Sequence, residues 1–205
     1  MAVPVRSPAL PPAIRGRDER VLISGVSWEQ YDAVRTALGE LASVQMTYLR
    51  GELEIMVKSA QHEQIKTMIG RLLEIFALER GVELNGYGET TFQERAVERG
   101  LEADECYVVG KRLDEAPGQM PELAIEVSLT SGYVDKLDVY AGLRVPEVWF
   151  WRDGRIEVWR LVGERYERRE RSELLPGVPL ETLASFVPWD NQTAAVRAFR
   201  DALRG

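Results

Sequence analysis

Six residues, Leu-Ala-Ile-Glu-Val-Ser at 123–128, constrain this chain more than any other stretch of its length. Their apolar content and brevity are those of one buried strand, yet a carboxylate, Glu126, interrupts the run where such a strand should carry only hydrocarbon. Side chains alternate along a strand. Leu123, Ile125 and Val127 therefore share one face, while Ala124, Glu126 and Ser128 share the other. A second misplaced charge follows, because Lys136 falls on the helical stripe Lys136, Tyr140, Leu143 that should face the interior. Two such charges of opposite sign point to a site.

The rest of the chain supplies a setting for that strand. Ser27 with Gln30 forms a capping-box pattern ahead of a short amphipathic helix ending near Gly39. The stretch SVQMTYLRGELEIMVKS alternates around Arg50-Gly51 and reads as a β-hairpin. Ile65, Met68, Ile69, Leu72, Leu73 and Phe76 recur at helical spacing and define the main helix, which stops at Gly81. Short strands are expected across 82–100, a strand over LEADECYVVG to Gly110, and a polar loop over 111–120. A short helix between Gly132 and Pro146 precedes a β-meander with Asp153-Gly154 as a turn, and two weak helices close the chain. The expected fold is α+β: a mixed sheet flanked by helices, with an N-terminal helix and hairpin added. Residues 20–205 form one domain, and the proline-rich opening, 1–19, is a flexible arm.

Composition removes several classes of function. With 205 residues and 45% apolar content, the chain can bury one good core, and no uninterrupted apolar run is long enough to cross a bilayer. No secretory apolar block opens the sequence, so a cytoplasmic location is expected. A single cysteine, Cys106, excludes an internal disulfide, and a single histidine, His62, excludes a zinc site built from several His and Cys ligands. Any metal must be held by oxygens. The net charge of -7 argues against non-specific coating of nucleic acid, and the Arg-rich 151–172 region is interleaved with acids as a solvated strand edge would be.

Asp104, on the alternation that includes Cys106 and Val108, and Glu126 suit two antiparallel neighbours joined by the 111–120 loop. Two carboxylates on one face repel unless a cation lies between them, and Mg²⁺ or Mn²⁺ with oxygen ligands is the simplest resolution. Lys136, in the first turn of the next helix, is placed to swing over the acids, and His62 beside Glu63 is placed to add a ligand or proton acceptor. Each residue also has a plainer reading. Asp104 reads equally as a solvent-facing strand residue, Glu126 and Lys136 as a structural ion pair, and His62 as a helix N-terminal surface residue. Cys106 reads as a small strand hydrophobe, and Trp149, Trp151 and Trp159 as sheet core or a dimer contact. A Ser128/Lys136 hydrolase lacks the usual glycine-flanked serine.

Taken together, GLEADECYVV, PELAIEVSLTS, DKLDVYAGLRVPEVWFW, the hairpin YLRGELEIM and the QHEQI helix start resemble the Uma2 family, also called DUF820, from about Trp28 to Phe186. That family is of restriction-endonuclease type with the PD-(D/E)XK pattern. The resemblance implies a nuclease-like fold and carries Asp104 onto the first acid and Glu126 onto the second. Ser128 stands where the triplet's lysine belongs, and the family's lysine comes instead from the following helix, here Lys136. Ala103 replaces the usual proline before the first acid, and His62 matches a histidine at the start of the main helix. The expectation is a Mg²⁺- or Mn²⁺-dependent endonuclease acting on DNA as a homodimer, with Asp104, Glu126 and the Val127 carbonyl on the metal and Lys136 and His62 assisting. The alternative is a nuclease-fold module that does not cut and serves in binding or assembly.

Overall fold

The computed structural model describes residues 17–38, 41, 43–111 and 120–205. Its centre is strand β8 (Leu123–Val127), buried along its whole length. It pairs antiparallel with β7 (Glu105–Val109) and parallel with β9 (Glu147–Arg152). Parallel neighbours need a crossover, and helix α3 (Lys136–Leu143) supplies it. Strands β4 (Leu84–Gly86), β10 (Arg155–Val162) and β11 (Arg165–Arg169) extend this sheet to six strands in the order β11-β10-β9-β8-β7-β4.

The alternation at 123–127 decides what covers each face. Leu123, Ile125 and Val127 pack with Met68, Leu72 and Phe76 of the long helix α2 (Ala60–Arg80), and with Phe199 of the C-terminal helix α5 (Gln192–Arg204). Leu183 of α4 (Leu180–Phe186) joins this layer. Helix α2 is bounded as its sequence requires. Ser59 accepts a hydrogen bond from the His62 amide at its start, and Gly81 takes φ 65° at its end. On the opposite face Ala124 packs with Cys106, Val148, Phe150, and Tyr140 of α3. Glu126 lies on this second face, as its position in the strand dictates.

A second sheet, of five strands, holds β2 (Val44–Leu49), β3 (Glu52–Val57), β5 (Thr90–Glu94), β6 (Arg99–Ala103) and an unexpected first strand, β1 (Glu19–Ser24). The β2–β3 turn places Arg50 and Gly51 at φ 45° and 95°, the left-handed geometry a tight hairpin needs. Helix α1 (Trp28–Leu38) packs Trp28 and Tyr31 against Tyr48, with the two tyrosine rings stacked at 4.8 Å. The expected α+β fold, a mixed sheet flanked by helices with an added helix and hairpin, is present, and the added hairpin belongs to a second sheet. The reason is local: the run from Leu101 to Val109 breaks at Asp104, where the chain leaves the small sheet as β6 and enters the large one as β7. Of the expected arm, residues 1–16 and the 112–119 part of the polar loop lie outside the described residues, while Asp18 and Glu19 lie within them. No helix among the described residues is long and apolar enough to cross a membrane.

Candidate active site

The crossing point between the sheets is the first half of the site. Asp104 is fully buried, and groups from three elements converge on it, with a charge from a fourth. Gln45 of β2 donates to Oδ1 at 2.9 Å, and the Val127 amide of β8 donates to Oδ2 at 2.8 Å. Nε2 of His62 lies 2.9 Å from Oδ1, although not aligned as a well-directed hydrogen bond, and Lys136 adds its charge from nearby. Burial alone would raise this carboxyl's pKa; the His62 contact, the Lys136 charge and the Val127 amide outweigh it and hold Asp104 well below the usual carboxylate range.

His62 is not the surface residue that a helix start suggests. It is fully buried, and its other ring nitrogen, Nδ1, lies 3.1 Å from Oδ2 of Asp18, whose Oδ1 accepts from the Ser59 amide at 2.9 Å. An imidazole facing a carboxylate at each nitrogen must donate from both. Burial alone would depress its pKa, yet Asp104 and Asp18 push it up to about 9, so the ring is an imidazolium at neutral pH. With both nitrogens engaged, His62 offers no lone pair to a metal and no base to a water. Flanked by Asp18 and Asp104, His62 stands as a strut between two acids.

Glu126 forms the second half. It is the next residue in register with Asp104, since Glu105 pairs with Ile125 and Cys106 with Ala124. Lys136 Nζ donates to Oε2 at 2.5 Å and to Gln45 Oε1 at 3.0 Å, while the Tyr140 hydroxyl donates to Oε1 at 2.5 Å. The spacing of Lys136 and Tyr140 by four residues puts both on one face of α3, directly over β8. Asp135 caps that helix by accepting from the Leu137 amide, which fixes where Lys136 starts. Despite these donors the Glu126 pKa is pushed up to about 7, because burial and the Asp104 charge outweigh the Lys136 and Tyr140 contacts.

Glu126 and Lys136 open onto a cleft of about 560 Å³ walled by residues 128–137, Arg20 and Arg152, with Asp104 set behind them. The 128–135 wall is clamped from the small sheet. Glu54 of β3, itself buried, accepts from the Tyr133 and Val134 amides and pairs with Arg20, whose Nε donates to Thr130 at 2.9 Å. Ser128 donates to the Thr130 carbonyl rather than to Lys136, which removes the Ser/Lys hydrolase. Cys106 donates to the Gly88 carbonyl, and burial pushes its thiol up to about 12, so it is an inert wall residue.

The structure thus gathers all four predicted side chains, Asp104, Glu126, Lys136 and His62, into one connected cluster, and puts the Val127 amide on Asp104. Glu63 is turned elsewhere, toward Lys58 and Lys66. Among the described residues no group of three or more His, Cys, Asp or Glu is arranged to hold a metal. The donor chemistry nevertheless suits a hard dication. A carboxylate oxygen accommodates two partners; Asp104 Oδ1 has two, whereas Asp104 Oδ2 and both Glu126 oxygens each show one hydrogen bond among the described residues. Sequence reasoning missed Gln45, Asp18 and the Glu54 clamp. Neither Gln45, one of the polar residues of an alternating hairpin strand, nor Asp18, in a charged run, carries a pattern that marks it.

The Uma2 family model, described as "Putative restriction endonuclease", matches residues 28–194. No curated protein matches the chain. The matched segment covers most of the sequence and includes Asp104, Glu126 and Lys136; the chain belongs to the Uma2 family.

Proposed function

From a Uma2-family chain with this cluster, we propose a divalent-metal-dependent endonuclease that hydrolyses phosphodiester bonds in DNA. The observation that carries the reading is the meeting of Lys136 with Glu126 at 2.5 Å beside the next-in-register Asp104, at the base of a cleft open to solvent. Asp104, Glu126 and the Val127 carbonyl would hold Mg²⁺ or Mn²⁺. When bound, that ion supplies Lewis-acid activation of a phosphoryl oxygen and of a water.

The chain's own residues do the rest. Asp104, kept ionised by His62, Gln45 and the Val127 amide, presents a fixed negative charge. Glu126 must be ionised to serve as ligand or base, and it loses its proton near pH 7 without assistance. Lys136 offers its ammonium to a water or to charge developing on phosphorus, where one well-placed donor contributes about 10²–10³ in rate. Arg20, paired with Glu54, and Arg152, paired with Glu157, stand on the cleft walls. Duplex cleavage by a symmetric homodimer, in the cytoplasm, completes the proposal.

The test is incubation of purified protein with duplex and single-stranded DNA, with and without Mg²⁺ or Mn²⁺. Cleavage that needs the ion and falls at least ~10²-fold in Glu126→Ala and Lys136→Ala is expected. Variants that cut as well as wild type overturn the assignment. One observation favours a second reading, a module that binds or assembles without cutting: each carboxylate oxygen of the pair already has a protein donor. Calorimetry showing no Mg²⁺ or Mn²⁺ uptake at millimolar concentration selects that reading.

A further inference from the structure

Asp18 lies ten positions before the family-matched segment begins at Trp28, and no motif marks it. It is nonetheless the far end of a buried line of three ionisable groups. Asp18 Oδ2 faces His62 Nδ1 at 3.1 Å, and His62 Nε2 faces Asp104 Oδ1 at 2.9 Å. All three side chains are sealed from solvent. Asp18 is itself fixed, because its other oxygen accepts from the amide of Ser59, the residue that caps α2. The local problem it solves is one of orientation: His62 stands in the first turn of α2, and among the described residues Asp18 is the side-chain partner of its Nδ1. Without Asp18 the ring is free to turn away from Asp104.

We propose that Asp18 is a positioning residue of the site: by holding His62 at Nδ1, it fixes the ring that braces Asp104 Oδ1 and so orients the remaining Asp104 oxygen toward the ligand position. The inference rests on the proposed function for its consequence in catalysis, but its structural core stands apart from activity. Two acids of the charged opening segment flank the start of β1, and only Asp18 is turned inward; Glu19 begins the strand. The device joins the N-terminal strand of the small sheet to the acid at the crossing between sheets.

The experiment uses the full chain in two arms. Because His62 is the only histidine, its ring N–H protons give uncrowded ¹⁵N-edited NMR signals. Wild type is expected to show two slowly exchanging ring N–H signals, and Asp18→Ala to lose the Nε2–H signal as well as its Nδ1–H signal. Asp18→Asn, which keeps the shape and one acceptor, is expected to retain the fold and weaken both signals, so that a folding failure in the alanine variant leaves the question answerable. In the second arm, Mn²⁺ affinity by calorimetry is expected to fall about 10- to 100-fold in His62→Gln, which removes an outer partner of a metal ligand, and by a smaller factor, about threefold or more, in Asp18→Asn, which acts through that partner. The same substitution made in a His62→Gln background is expected to add less than twofold. Retention of the Nε2–H signal in Asp18→Ala, or an Asp18→Asn effect equally large without His62, overturns the inference. If wild type takes up no Mn²⁺ and cuts nothing, the nuclease reading fails while the NMR arm still decides the positioning claim.

Discussion

Asp104 and Glu126 are the same kind of group at the same depth, adjacent in register, yet their carboxyls are driven in opposite directions. Burial pushes both upward. What separates them is the supply of donors built into the fold. Asp104 sits where two sheets and α2 meet, so a side-chain amide, a strand amide and an imidazolium reach it from rigid elements. Glu126 is served only by α3, through Lys136 and Tyr140, and it faces the negative charge of Asp104. One acid is therefore a finished part of the framework, and the other is left short of positive charge. Under the proposed function, a divalent cation on the side of the cleft would make up that shortfall.

The contrast is easiest to break through stability. Asp104→Asn removes the partner of a buried imidazolium and is expected to cost about 3 kcal/mol in urea unfolding at pH 7. Glu126→Gln removes a group already half protonated at that pH and is expected to change stability by less than about 1 kcal/mol. Equal losses in the two variants would show that the acids are compensated alike.

Next in size is the pH dependence of the metal-free protein. His62 has a folded pKa raised above its unfolded value, so its contribution is fully present below about pH 6.5 and is lost as pH rises toward 9, on the order of 2–3 kcal/mol. Glu126, also raised, acts in the same direction between about pH 4.5 and 7, because the folded state holds its proton more tightly than the unfolded chain. Asp104, lowered, contributes stability above its ordinary range and loses it only as pH falls through about 3.8 and below. Unfolding free energy should thus decline from mildly acidic to alkaline pH, and His62→Gln should flatten the limb above 6.5. A wild-type curve flat from pH 6 to 9 contradicts the imidazolium strut.

The smallest effect sharpens the comparison. Tyr140→Phe removes one of the two donors on Glu126, costs about 1 kcal/mol and moves the Glu126 titration further upward. No shift in that titration would mean that the phenol does not compensate the carboxylate.

Much of this site was legible because it obeys short-range periodicities. Alternation over 123–127 put Glu126 opposite the α2 face, and a four-residue helical repeat put Lys136 and Tyr140 on one stripe. The hairpin and the end of α2 followed from Gly51 and Gly81 for the same reason. What failed was anything settled by distant packing. The stretch from Leu101 to Val109, which reads as one strand, gives no sign of the break at Asp104, since two sheets claim its halves. Strand β1 owes its place to pairing with β3 rather than to its own residues, most of which are exposed. His62 lay on the buried stripe of α2, three residues before Ile65, but its polar character and helix-start position argued for the surface. Asp18 became important only when folding carried it across more than forty residues of sequence to that ring.

The most direct measurement is the titration of the Glu126 side-chain carboxyl by ¹³C NMR, with and without saturating Mg²⁺. A midpoint near 7 in the free protein that falls below about 5 with the ion is expected of an acid left short of positive charge and able to take a dication. A midpoint already in the ordinary carboxylate range, unmoved by Mg²⁺, would contradict it.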